Sequence, residues 1–307
     1  MDLCELSIVV PCYNEEDNVI PFFLRTRDVL SPLQINYEII YVDDGSNDST
    51  FSVISNIINE NSIIKCIRLS KNFGSHAATM AGISSANGKT VAVLAADLQN
   101  PPELLPEMIN HWKNGAGIVW ALPEIGDKNK NYTSRVFYSL IRSIAIPEYP
   151  KQGVDFYLLD RKVVNELKKN ADRNIMITGN LFKMGFKQVF IPYKYTDRER
   201  GNSKWNISKK IKLAIDMIVS QSYIPIRIMS IFGFTITIIS ALYALLIMIF
   251  TLLGNNQITG WASTIIIVLF LGGVQLTTLG ILGEYIWRIS DQVKGKPLFI
   301  IMEKIGF

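Results

Sequence analysis

Two stretches of the chain carry no charged residue, Ile228 to Leu253 and Trp261 to Gly283. Each exceeds the roughly 20 apolar residues that cross a hydrocarbon core. Inside lipid the backbone must satisfy its own polar groups, so both are expected to be helices. The linker Gly254 to Gly260 is short and uncharged, and cations flank the outer ends: Lys204, Lys209, Lys210, Lys212 and Arg227 before, Arg288, Lys294 and Lys296 after. The positive-inside rule then predicts a two-helix transmembrane hairpin with both termini in the cytoplasm. A buried helical pair in a soluble protein is the alternative. Gly272, Gly273, Gly280 and Gly283 allow close helix contact, which is compatible with a homo-oligomer.

Immediately before the hairpin, Ile207, Ile211, Ala214, Ile215, Ile218 and Ser222 fall on one helical face and Lys209, Lys210, Lys212 and Asp216 on the other. That profile predicts a juxtamembrane amphipathic helix lying in the headgroup layer, with a core helix of the preceding domain as the alternative.

The preceding two hundred residues read differently, because charged residues and turn formers interrupt every apolar run. The chain of 307 residues is long enough for one sizeable α/β domain plus an appendage. Its net charge of +4 is too small to argue for nucleic acid. Three scattered cysteines, Cys4, Cys12 and Cys66, suit reduced thiols in cytosol rather than disulfides or zinc. The amino terminus is acidic and shows no signal peptide. Strands are expected at 6–10, 37–42, 63–69 and 91–97, with helices at 18–30, 49–59 and 75–86 between them. After Pro102 come a helix to about Asn114, a strand at 117–121, a helix near 134–144, the segment 153–159 and a helix at 161–170. Such alternation implies right-handed crossovers and a mostly parallel sheet.

The strand from Val91 runs into Asp97-Leu98-Gln99-Asn100-Pro101-Pro102-Glu103. The prolines end it, Asn100 is a plausible helix cap, and Asp97 is set where open α/β sheets bind ligands. Two more loops leave the same predicted edge with carboxylates: Pro11-Cys12-Tyr13-Asn14-Glu15-Glu16 and Asp43-Asp44-Gly45-Ser46. Singly each is an ordinary turn. Together with Lys71-Asn72-Phe73-Gly74, Arg198 to Lys204 and Gly280-Ile281-Leu282-Gly283-Glu284-Tyr285, they resemble the polyprenyl-phosphate glycosyltransferases of glycosyltransferase family 2. That group includes bacterial bactoprenol glucosyltransferases and dolichyl-phosphate mannose synthases, and two carboxyl-terminal spans favour the bacterial branch.

The resemblance implies a GT-A-like α/β nucleotide-sugar domain over 1–205, the amphipathic helix over 206–225, two transmembrane helices within 226–287 and a cytoplasmic tail at 288–307. It implies transfer of a hexose, with inversion, from a UDP-sugar to undecaprenyl phosphate at the cytoplasmic face of a bacterial inner membrane. Pro11, Tyr13, Glu15, Asp43, Asp44 and Lys71 form the expected nucleotide pocket: Tyr13 can stack on a base, Glu15 can accept from ribose hydroxyls, and Asp43 or Asp44 can accept from a uracil imide. Asp97 and Gln99 are the implied ligands of Mg²⁺ or Mn²⁺, which compensates the diphosphate. Asp155 matches a family segment near the sugar. Arg198, Arg200, Ser203 and Lys204 form the implied acceptor-phosphate site, since arginine forks match phosphate oxygens. Arg198 and Lys204 join Asp97 and Asp155 as candidate catalytic residues.

Two positions depart from the family pattern. Where Asp-x-Asp is usual the chain has Ala95-Ala96-Asp97, so one carboxylate is missing, and Tyr157 stands where relatives carry arginine. Either metal affinity is weaker or Gln99 and water fill the gap. His76 is read as capping or packing at its helix start and His111 as a surface residue. The rivals are a non-catalytic membrane scaffold on the same fold and a glycosyltransferase with another lipid or glycan acceptor. A processive synthase is disfavoured, because no Gln-x-x-Arg-Trp motif occurs.

Overall fold

The computed structural model describes residues 4–124, 139, 142–143, 146–169, 177–194, 224–253 and 260–307. The chain divides into two units, one formed by Met1–Met217 with Pro297–Phe307 and the other by Ile218–Lys296. The expected helix near 134–144 lies largely outside the described residues, and the amphipathic helix at 206–222 lies wholly outside them.

In the first unit, strands β1 (Leu6–Cys12), β2 (Tyr37–Asp43), β3 (Ile64–Leu69) and β4 (Thr90–Val93) run parallel, in the spatial order β4-β1-β2-β3. Strand β6 (Phe156–Asp160) joins β4 antiparallel, β5 (Ile118–Pro123) joins β6 antiparallel, and β7 (Gln188–Tyr193) runs parallel to β5. Strand β8 (Ile301–Ile305) closes the other side antiparallel to β3. The result is a mostly parallel eight-stranded sheet.

Helices cover both faces, which is why the central strands read as unbroken apolar runs. Ile8, Val10, Tyr41 and Cys66 pack on one face with Phe22 of α1 (Val19–Leu30), Ile54 of α2 (Thr50–Glu60) and Met108 of α4 (Leu105–Lys113). Val9, Ile40, Val42 and Ile67 pack on the other with Met80 of α3 (Ser75–Ser85), Val163 of α5 (Arg161–Lys169) and Leu181 of α6 (Ile177–Lys183). Burial of Val19, Phe22, Phe23, Thr26 and Leu30 in α1 follows the one-sided helical spacing of a surface helix. Each fully buried large apolar side chain contributes about 1.5–3 kcal/mol.

The edge away from the expected site is pinned by a polar cluster. Glu38, buried in β2, accepts from Ser7 Oγ, from the Asn87 amide at 2.7 Å and from Lys65 Nζ at 2.7 Å. Burial alone would raise the Glu38 pKa, but the bonds from Lys65, Ser7 and Asn87 leave it lowered.

Several expected elements end or begin elsewhere. The strand expected to run to Asp97 stops at Val93, and the chain then turns, with Leu98 at φ of 59°. Asn100 caps no helix: its side-chain oxygen accepts from the Ala95 amide, and a 3-10 turn at Pro102–Leu104 leads into α4 instead. Strand β7 and helix α6 were not foreseen. The expected tail at 288–307 contains the last residues of a helix and then β8.

The second unit comprises α7 (Ile224–Leu252) and α8 (Trp261–Val293), which pack on each other. Large apolar side chains such as Phe234 and Leu276 are exposed along them. Among the described residues one window, Ile226–Tyr243 in α7, is long and apolar enough to cross a membrane.

Candidate active site

The topology brings the sequence-predicted loops to one edge. Because β1 to β4 are parallel, Cys12, Asp43, Leu69 and Val93 all end on the same side of the sheet. Antiparallel β6 starts there, with Tyr157 opposite Val93, so Asp155 stands beside the end of β4. Strands β5 and β7 also finish on this side, at Pro123 and Tyr193. Pro11, Tyr13, Glu15, Asp43, Asp44, Lys71, Asp97, Gln99 and Asp155 therefore share the edge. The expected acceptor residues Arg198, Arg200, Ser203 and Lys204 lie outside the described residues.

The first two loops are laced together. Asn14 takes φ of 54°, a region that asparagine tolerates better than most residues. Its amide donates to Ser46 Oγ at 2.9 Å, and its side-chain oxygen accepts from the Asn47 amide at 2.9 Å. The Glu15 amide donates to Thr50 Oγ1 at 2.9 Å, and Glu16 accepts from the Ser49 amide at 2.8 Å. Asn18 Nδ2 donates to Glu15 Oε2 at 2.6 Å, fixing that carboxylate. Tyr13 is half-buried, with its hydroxyl 3.5 Å from Asn47 Nδ2.

The two adjacent aspartates differ in use. Asp44 accepts from the backbone amides of Phe73 at 2.7 Å and Gly74 at 2.9 Å, tying its loop to the start of α3. Burial raises its pKa, and those two amides oppose the rise. Both Asp44 oxygens are thus engaged by amides of the neighbouring loop. Asp43 has one oxygen accepting from the Ser46 amide at 3.0 Å, while the other is 3.5 Å from Arg68 Nε and, among the described residues, has no hydrogen-bond partner. The Arg68 guanidinium in turn lies 4.2 Å over the Phe51 ring. Gly45 lets these loops meet: its φ is +66°, and a Cβ there would come within 2.6 Å of the Lys71 backbone. Lys71 is exposed, with its ammonium 5.2 Å above the Phe73 ring.

Asp97 is buried, and its carboxylate accepts from the Gln99 amide at 3.2 Å in a tight turn. Asn100 clasps this turn, since it accepts from Ala95 and donates from Nδ2 to the Tyr193 hydroxyl at 3.3 Å. Neither Tyr193 nor this use of Asn100 was foreseen; only the Asn-Pro pair marked the turn. Asp155 is exposed at this edge, and its pKa is raised by desolvation and then by the charge of Asp97. Tyr157 is buried edge-on against Trp120, at 5.4 Å between ring centres. His76, near the start of α3, has a pKa lowered by burial, which suits a packed neutral ring.

Among the described residues no three His, Cys, Asp or Glu side chains gather to hold a cation. Asp97 and Gln99 still offer hard oxygen donors. Mg²⁺ commonly uses one or two carboxylates with substrate phosphates and water filling its other positions, so this donor set fits it.

The family model described as glycosyl transferase family 2 matches residues 7–178, which contain every carboxylate loop at this edge. The chain belongs to glycosyl transferase family 2. Full-length similarity extends to a bactoprenol glucosyl transferase of Shigella phage SfII, 35% identical over 302 residues and covering 97% of each chain. A glycosyltransferase of Synechocystis is 39% identical over 305 residues, covering 98% of this chain and 96% of its own. Among solved structures, glucosyl-3-phosphoglycerate synthase of Mycobacterium tuberculosis with Mn²⁺, UDP and phosphoglyceric acid gives a TM-score of 0.48 at 18% identity, covering 70% of this chain and 76% of that one. The family match and the mostly parallel sheet make the first unit a GT-A-like α/β glycosyltransferase domain.

Proposed function

We propose that this family 2 glycosyltransferase moves a hexose from a UDP-sugar to undecaprenyl phosphate at the cytoplasmic face of a bacterial inner membrane, with inversion. The observation that carries the reading is the convergence of the loops at 11–16, 43–50, 71–74 and 94–100 with Asp155 on one sheet edge. Support for the lipid acceptor comes from the bactoprenol glucosyl transferases that match the chain end to end.

In this reading Pro11 and Tyr13 hold the base, Asp43 reads its imide, Glu15 takes the ribose and Lys71 meets the diphosphate. Asp97 and Gln99 hold Mg²⁺ or Mn²⁺, which when bound compensates the charge of the departing nucleotide. An oxygen of the acceptor phosphate attacks the anomeric carbon as the bond from that carbon to the UDP oxygen breaks. The second pKa of a phosphate monoester is about 6, so the nucleophile is largely dianionic at neutral pH and needs no strong base. Positioning therefore dominates. Asp155 orients a sugar hydroxyl or the acceptor, and Arg198, Arg200, Ser203 and Lys204 bind the acceptor phosphate. Arg198 follows the edge residue Tyr193 by only five positions in sequence, which favours that role.

The membrane arrangement belongs to the same proposal. Residues 228–253 and 261–283 form a hairpin, preceded by the amphipathic helix of 206–225, with both termini cytoplasmic. The return of Pro297–Phe307 to the sheet unit favours an even number of crossings. Purified full-length protein, incubated with a panel of UDP-sugars and undecaprenyl phosphate, should yield one lipid-linked hexose by mass spectrometry. No lipid-linked sugar with any donor would favour the non-catalytic scaffold instead.

A further inference from the structure

The carboxyl-terminal segment does more than close the sheet. Strand β8 meets β3 with Ile305 opposite Cys66, Lys304 opposite Ile67 and Glu303 opposite Arg68, but Ile301, not Met302, stands opposite Leu69. One extra residue is thus inserted on β8, and the bulge switches which face the strand addresses. Ile305 accordingly packs with the core on the Cys66 side, and Ile301 with the core on the Leu69 side. At the far end Gly306, with φ of +83°, lies so close to the Ile64 carbonyl that a Cβ would reach 2.8 Å from it. At the near end the Ile300 carbonyl accepts from the Ser70 amide at 2.9 Å. Ser70 directly precedes Lys71-Asn72-Phe73-Gly74, the loop whose amides hold Asp44 and whose backbone crowds Gly45. Leu298, Phe299 and Phe73 pack against the same core cluster.

We propose that residues 298–301 are a positioning strap: by clamping Ser70 and packing on the core cluster that Phe73 also meets, they set the loop at 71–74, and through Asp44 and Gly45 the loop that carries Asp43. This rests on the donor-site reading above. The near end of the strap then governs donor affinity, whereas the far end, of similar apolar character, governs stability alone.

The test compares Phe299→Ala, Phe299→Leu and Ile305→Ala in the full-length protein, reading UDP affinity by calorimetry and donor KM and kcat by turnover. Phe299→Ala should weaken UDP binding and raise donor KM about tenfold with kcat within about twofold, as small misplacement of a binding loop does. Phe299→Leu should restore most of the affinity, and Ile305→Ala should lower the melting temperature without moving KM. Equal KM effects from Phe299→Ala and Ile305→Ala, or none from either, would overturn the strap. If Phe299→Ala does not fold, Ile301→Val is read by the same criteria. Failure of the wild-type chain to bind UDP counts against the donor-site reading; wild-type binding with unchanged KM in a folded Phe299→Ala protein counts against the strap alone.

Discussion

Asp155 stands within electrostatic reach of Asp97 at the end of β4, and desolvation, followed by that second carboxylate, raises its pKa. If Asp155 acts in its ionised form, activity must fall on acidification at a pH above the ordinary aspartate value of about 3.9. Asp155→Asn should lower kcat/KM about 100-fold and remove the acid limb of its pH profile. An unchanged limb would assign it to another group.

Gly45 is the pivot on which two loops meet. Gly45→Ala should cost about 1–2 kcal/mol from its left-handed backbone alone, with a further cost because the new Cβ meets the Lys71 backbone at 2.6 Å. Thermal unfolding should show the loss, and donor KM should rise, since the carboxylates on either side move with the turn.

Asp44 accepts two amides where an asparagine can use one oxygen. Asp44→Asn should leave one of these amides without its acceptor, at a cost of about 1–3 kcal/mol. Hydrogen exchange at Phe73 and Gly74 should quicken. Unaltered exchange there would show that the carboxylate does not hold the loop.

Glu38 supplies the pH dependence of folding at the opposite edge. Its pKa is lowered in the folded chain, so between its folded and unfolded values the unfolded chain binds more protons. Its contribution is fully present above about pH 4.3, the ordinary glutamate value, and is lost as pH falls through the lower folded value. Glu38→Gln breaks a buried pair with Lys65 and should cost about 3 kcal/mol at neutral pH. The difference from wild type, read by unfolding, should shrink below that pH.

The meeting of the carboxylate loops at one sheet edge was legible in the residues themselves. Apolar runs buried on both faces marked β1, β2 and β3, and Asp97 was found at the predicted edge even though β4 stops at Val93. What escaped was set by distant contacts. Gln188–Tyr193 is an edge strand whose buried and exposed positions alternate only from Phe190 on, and its Val189-Phe190-Ile191 run followed by Pro192 shows no apolar–polar alternation in sequence. Ile301–Ile305 is short, and its two isoleucines serve opposite faces through a bulge that periodicity does not reveal. Asp43 and Asp44 are alike in sequence; their partners distinguish them, Ser46 and Arg68 for the first and the amides of Phe73 and Gly74 for the second.

Photolabelling tests the central claim most directly. An azido-UDP probe, irradiated with the full-length protein and mapped by peptide mass spectrometry, should label residues 11–16 and 43–50, and excess UDP should suppress the labelling. Labelling confined to other segments, or labelling that UDP does not compete away, would contradict a donor site at the carboxyl edge of β1 and β2.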